Sequence, residues 1–166
     1  MKYYIGIDIG LQGGIVILDK DGTIKESHKM PKDKSGIDIM ELDKIFWDYE
    51  GAPCMVVFEK LGPIFGSSKK TTWSMGVQVG LIRTICSVRS MPYTEVQAKV
   101  WQKEMFQGIP AITKSGKSSL DTKAMALEAC KRLYPKVDFK RPKSDKQYDG
   151  LIDALLMADY GKRKNL

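Results

Sequence analysis

The chain is poor in the residues that staple or anchor a fold. Its three cysteines, Cys54, Cys86 and Cys130, stand in apolar or helical surroundings without Cys-x-x-Cys spacing. Neither a disulfide framework nor a thiolate zinc cluster is therefore expected, and a reducing, cytoplasmic setting fits best. The opening stretch from Met1 to Gly10 lacks a continuous apolar signal core, and no later run is long enough to cross a bilayer. A soluble, intracellular protein is the expectation. The one histidine, His28, falls on an expected strand with no partner in view and reads as surface rather than catalytic.

What is present in excess is positive charge. Twenty-seven Lys and Arg against 20 Asp and Glu give a net charge of +7, which favours polyanionic partners without specifying one. At 166 residues and 43% hydrophobic content, the chain can bury one sizeable core, and a single domain spanning residues 1–166 is expected. No internal repeat is visible.

Hydrophobic periodicity organises the rest. Tyr3 to Ile9 is β-rich, Gly13 to Leu18 resumes after a glycine turn, and Thr23 to Met30 follows Asp19-Lys20-Asp21-Gly22, a three-stranded meander. Helical spacing from Ile37 to Tyr49 predicts a first helix; the apolar run Cys54 to Phe58 predicts a buried strand ending in Glu59. A polar, basic stretch from Ser67 to Thr72 leads into a helix reaching about Val88, followed by a strand at Tyr93 to Val96 and a helix at Ala98 to Met105. Gly108 to Ser119 reads as a flexible basic segment, and the last two helices are expected at Leu120 to Tyr134 and Tyr148 to Lys162. Antiparallel strands first and alternating elements afterwards describe an α/β fold, a mixed sheet flanked by helices.

Four acids stand out against this frame. Alternation along the first strand puts Tyr4, Gly6, Asp8 and Gly10 on one face, which leaves space beside the Asp8 carboxylate. Glu59 closes a buried strand, where it either reaches solvent or joins a site at the sheet's end. Asp149 and Asp153 are four apart in an otherwise apolar helix and share one edge, a repulsive arrangement without a cation. Asp149 has an alternative reading as a first-turn acid complementing the helix dipole. Together the four form an all-oxygen ligand set suited to Mg2+ or Mn2+, and two such ions could clamp a phosphodiester without a His or Ser nucleophile.

The assembled pattern resembles the RuvC-like Holliday junction resolvases, or crossover junction endodeoxyribonucleases, most of all the compact bacteriophage forms. The resemblance runs along nearly the whole chain. It is carried by Tyr4-Ile5-Gly6-Ile7-Asp8-Ile9-Gly10 with Gly13-Gly14, Val56-Val57-Phe58-Glu59-Lys60, the Gly76 to Gly80 helix, Pro92 to Trp101, and Tyr148-Asp149-Gly150-Leu151-Ile152-Asp153-Ala154-Leu155-Leu156. It implies a ribonuclease-H-like five-stranded sheet with its first three strands antiparallel. It also implies a magnesium-dependent homodimer, paired around Trp73 to Ser87, that nicks four-way DNA junctions symmetrically in bacterial or phage-infected cytoplasm. Asp8, Glu59 and Asp153 match the family's acids, and Asp149 a position that holds Asp or His.

For contacts with DNA the expected residues are Lys60, Lys69, Lys70, Lys114, Lys117, Lys123, Arg141, Lys143 and Lys146, in or beside flexible segments. Lys123 matches a basic position of the resembled family, and Phe65 matches an aromatic that wedges at the branch point. Thr113-Lys114-Ser115-Gly116-Lys117-Ser118 mimics a phosphate loop, but Ala111 stands where the earlier glycine is required, so no nucleotide site is expected. A noncatalytic branched-DNA-binding protein and a nuclease acting on RNA remain as alternatives.

Overall fold

The computed structural model describes residues 2–62, 68–141 and 146–166. The elements run β1 (Tyr3–Asp8), β2 (Gly14–Asp19), β3 (Ile24–Lys29), α1 (Ile39–Trp47), β4 (Cys54–Glu59), α2 (Lys69–Val88), β5 (Tyr93–Val96), α3 (Ala98–Met105), α4 (Thr122–Leu133) and α5 (Asp149–Arg163). They form a five-stranded sheet in the order β3-β2-β1-β4-β5. The β1–β2 and β2–β3 pairs are antiparallel, whereas β1–β4 and β4–β5 are parallel. The expected mixed sheet with an antiparallel opening meander is what the chain forms.

Strand alternation divides the core in two. Ile5, Ile7, Ile15, Ile17, Val56 and Phe58 face α1 and α2, joined there by Leu42, Phe46, Ile82 and Cys86. Tyr4, Val16, Leu18, Val57 and Val96 face the other way, against Trp101, Met105, Ala126, Ala129 and the long apolar side of α5. A strand covered on both faces carries a continuous apolar run, as β2 does from Ile15 to Leu18 before the buried Asp19 ends it. The edge strand β3 instead alternates half-buried and exposed residues. The three cysteines are buried and free, as expected. Among the described residues no helix is long and apolar enough to cross a membrane.

Three helix boundaries differ from the sequence reading. Helix α2 starts at Lys69, inside the polar stretch read as leading into it, because the Ser68 hydroxyl accepts from the Thr71 N–H; Lys69 and Lys70 therefore stand on a helix rather than in a flexible segment. Helix α1 is shorter than Ile37 to Tyr49, because the Asp38 carboxylate accepts from the Glu41 N–H and starts the helix there. Helix α4 starts at Thr122 rather than Leu120, since Asp121 caps it through the Ala124 N–H. Leu120 instead pairs with Thr113, so the basic stretch between them closes as a bridged turn with Gly116 at φ 68°. His28 does have a partner: its Nε2 lies 2.7 Å from Glu26 Oε2 on the same face of β3.

Candidate metal and nucleic-acid site

The parallel register of β1 and β4 places the first two acids. Tyr3 pairs with Cys54 and Ile7 with Phe58, so the next residues, Asp8 and Glu59, end adjacent strands side by side, about 4.8 Å apart at the backbone. Both have the parity of Tyr4 and Val57, and so lie on the α5 side of the sheet. Asp149 and Asp153 come from the first two turns of α5.

Glycine decides how close α5 can come. A Cβ on Gly6 would lie 1.9 Å from the Ala154 carbonyl oxygen and 2.6 Å from the Ala158 nitrogen. Gly150 approaches Gly13 equally closely, at 2.5 Å from a would-be Cβ to the Gly13 Cα, and the two residues form a backbone bridge. The space that alternation indicated beside Asp8 is thus filled at Gly6 by the helix backbone, not left open. That close seating carries Asp153, next to Ala154, alongside Asp8, two residues up the strand from Gly6.

The carboxylates feel one another. Burial, followed by Glu59 and Asp149, pushes the Asp8 pKa up to about 6 against the pull of Lys123. Burial, then Asp8, Glu59 and Asp149, pushes Asp153 up to about 7. Burial raises Glu59 too. The Lys123 ammonium donates to Asp149 Oδ2 at 2.9 Å, and that pairing, with help from Asp153 and Asp8, raises its own pKa. Asp149 therefore faces a cation across the cleft. The first-turn position expected from the dipole reading is also real, since Asp149 opens α5.

A cleft of about 880 Å³ opens over this site. One wall is the turn from Gly10 to Gly13; the opposite wall is α2, through Lys70, Thr71, Ser74, Met75 and Gln78. Lys70, Lys123 and Arg141 line it with Asp8, Asp149 and Asp153. Of the other basic residues expected at DNA, Lys60, Lys69, Lys114, Lys117 and Lys146 are exposed but do not line this cleft. Phe65 and Lys143 lie outside the described residues. Ser74 and Gln78 were not anticipated, although their four-residue spacing from Lys70 was a legible signal; Gln78 is buried and donates to Ser74 Oγ at 3.0 Å. Asp159, as expected, is elsewhere: it is buried and paired with Lys162 and Arg163 at 3.1 and 3.0 Å.

The donor chemistry fits a hard divalent cation: the four acids offer carboxylate oxygens alone, and Lys123 offsets their mutual repulsion only in part. Among the described residues no three acidic, His or Cys side chains are already gathered as ligands of one ion.

These shifts have a pH consequence. The folded pKa values of Asp8 and Asp153 lie above the ordinary 3.8, so the folded chain retains protons that the unfolded chain has released. Stability from this source is present at low pH and lost as pH rises through the folded values, about 6 and 7. We expect the metal-free melting temperature to fall between about pH 5 and about pH 8, and to fall less in Asp153→Asn. Equal slopes for the two proteins in a thermal-shift series would contradict this.

Comparison with solved structures places the architecture. The chain is similar to Thermus thermophilus RuvC in complex with a Holliday junction substrate, with a TM-score of 0.66 at 12% identity over 98% of this chain and 96% of that one. The fold is RuvC-like. A second T. thermophilus RuvC structure matches with a TM-score of 0.57 at 16% identity, again over 98% and 96% of the two chains. No protein-family model and no curated protein matches. At these identities the likeness is one of fold, and it spans the RuvC-like chain from end to end. The five-stranded mixed sheet, with its first three strands antiparallel and helices on its flanks, is the one that the motif resemblance implied.

Proposed function

We propose that the chain is a compact, phage-type junction-resolving endonuclease, a single-domain enzyme that hydrolyses phosphodiesters of branched DNA with Mg2+, or Mn2+ in its place. What supports this reading is the placement of Asp8 and Glu59 at the ends of the paired strands β1 and β4 and of Asp149 and Asp153 on α5, with Asp8, Asp149 and Asp153, though not Glu59, lining a cleft together with Lys70, Lys123 and Arg141. The junction-bound RuvC of the same fold supports the choice of substrate.

In this reading the four carboxylates hold two ions. When bound, such ions supply an activated water and neutralise charge at the leaving oxygen. Asp8 and Asp153, the most strongly perturbed acids, would bind as carboxylates once a cation removes their mutual repulsion. Lys123, released from Asp149, would turn to a phosphate, while Lys70 and Arg141, which line the same cleft, would hold the strand. The outlying lysines, with Phe65, would meet the junction arms.

Resolution of a four-way junction requires two symmetric nicks, and hence two copies. The exposed face of α2 supports self-association: Trp73 is 76% and Val77 43% exposed, beside Gly76, in an apolar groove. Sedimentation should show a homodimer at micromolar concentration; a monomer would remove paired cleavage from the proposal.

The direct test is incubation with labelled four-way junctions, flaps, duplexes and matching RNA in Mg2+. Nicks confined to branched DNA are expected. A noncatalytic junction binder is the second reading, favoured by the Lys123–Asp149 pair that already neutralises one carboxylate. Tight junction binding without cleavage in either Mg2+ or Mn2+ would select it.

A further inference from the structure

One buried polar group remains unaccounted for. Trp101 is 1% exposed, and its indole Nε1 is the only buried side-chain nitrogen or oxygen without a hydrogen-bond partner among the described residues. A buried donor left unpaired gives up its bond to water without a replacement, and such orphans call for an explanation. Trp101 was chosen neither for charge nor for any expected role in chemistry.

Its surroundings point to Glu59. Strand β5 pairs with β4 up to Glu59–Val96, and the Lys60 N–H donates to the Val96 carbonyl at 2.8 Å. The chain then turns at Gln97 into α3, which carries Trp101 into the same core layer as Val57 and Val96, the layer on the Glu59 side of the sheet. Phe106 meets the indole edge-on, with centroids 6.0 Å apart, and limits its rotation. The indole N–H is near enough to favour the charged form of Glu59, yet it falls outside hydrogen-bond geometry in the present side-chain arrangement.

We propose that Trp101 is a positioning residue whose indole N–H becomes the hydrogen-bond donor to one Glu59 oxygen when the carboxylate turns its other oxygen to a bound divalent cation. The inference rests on the metal-site reading above. A rigid donor behind the carboxylate fixes its orientation from outside the ligand set, and losing such a partner typically weakens metal binding by about 10- to 100-fold. The orphaned N–H is then the cost of a site held ready: the bond forms only in the loaded arrangement.

The test needs no DNA and no activity. Two of the three tryptophans, Trp47 and Trp73, are 61% and 76% exposed, so the indole N–H slow to exchange with solvent belongs to Trp101, and Trp101→Phe assigns it. Titration of the full chain with Mg2+, followed by 1H–15N spectra, should move this resonance downfield as the hydrogen bond forms. The movement should vanish in Glu59→Ala. Backbone amides at Asp8 and Asp153 that titrate while the indole stays still would overturn the positioning role alone. If no resonance near the acids titrates, the metal-site reading falls, and the inference with it.

Affinity provides the second measurement. By calorimetry, Trp101→Phe should weaken Mn2+ binding by about tenfold, with little further loss when combined with Glu59→Ala, since the indole acts through that carboxylate. Additive losses would mean that Trp101 only fills the core. The wild-type spectra decide the matter even if Trp101→Phe proves unstable.

Discussion

Asp8→Asn should abolish junction cleavage, by about a thousandfold or more, while junction affinity at fixed salt stays within about twofold of the wild type. A thousandfold is about 4 kcal/mol of transition-state stabilisation, a magnitude that positioned metal charge can supply. Asp8 stands at the centre of the acidic group, flanked in register by Glu59 and coupled to Asp149. Asparagine keeps its shape but offers one neutral oxygen, so the ligand set loses a charge. Affinity should survive because the change removes no phosphate contact and makes the cleft less negative. The dependence of log K on log salt should also be unchanged. Parallel cleavage and filter-binding assays check both halves. Wild-type cleavage by the variant would remove Asp8 from the site, and lost binding would mean that its role is structural.

Gly6→Ala should cost about 4 kcal/mol or more, enough to unfold much of the protein. The added methyl would stand 1.9 Å from the Ala154 oxygen and 2.6 Å from the Ala158 nitrogen. These are backbone atoms of a packed helix, so no side-chain rotation relieves the clash. Helix α5 must shift from β1, which separates Asp149 and Asp153 from Asp8 and Glu59. Any soluble Gly6→Ala protein should therefore have lost divalent-cation binding as well. Gly62→Ala, where a Cβ meets nothing within 4 Å among the described residues, should stay within about 0.5 kcal/mol of the wild type. Urea unfolding of the three proteins gives the comparison; a Gly6→Ala midpoint near that of Gly62→Ala would refute the close seating.

Much of this molecule was legible before any coordinates. Strand and helix periods are local properties of the chain, so the described strands and helices occur in the order and at the places that alternation and 3.6-residue spacing indicate, with the ends of α1, α2 and α4 shifted by capping side chains. The acids were legible for a related reason: a charge in an apolar strand or helix face is costly, and its presence at Asp8, Glu59 and Asp153 demands compensation. Other features were not legible. Alternation marked Gly6 as space, but whether a ligand or a helix fills that space depends on residues nearly 150 positions away in sequence. The basic residues looked alike in flexible segments, yet among the described ones only Lys70, Lys123 and Arg141 line the cleft. Asp149 could be read as a dipole partner or a ligand; its contact with Lys123 on α4 appears only when two helices are set side by side.

By itself, then, the sequence determined the order and type of the elements, the alternation that sorts two cores, and the identity of the four acids. The tertiary structure decided their convergence, through the β1–β4 register and the glycine seating of α5, and with it the raised pKa values of Asp8 and Asp153. It also decided which cations face the acids and set Trp101 in the core layer on the Glu59 side of the sheet. The division has a physical cause: periodicity is encoded by neighbours along the chain, whereas electrostatic coupling and close packing depend on distances that only the folded chain sets.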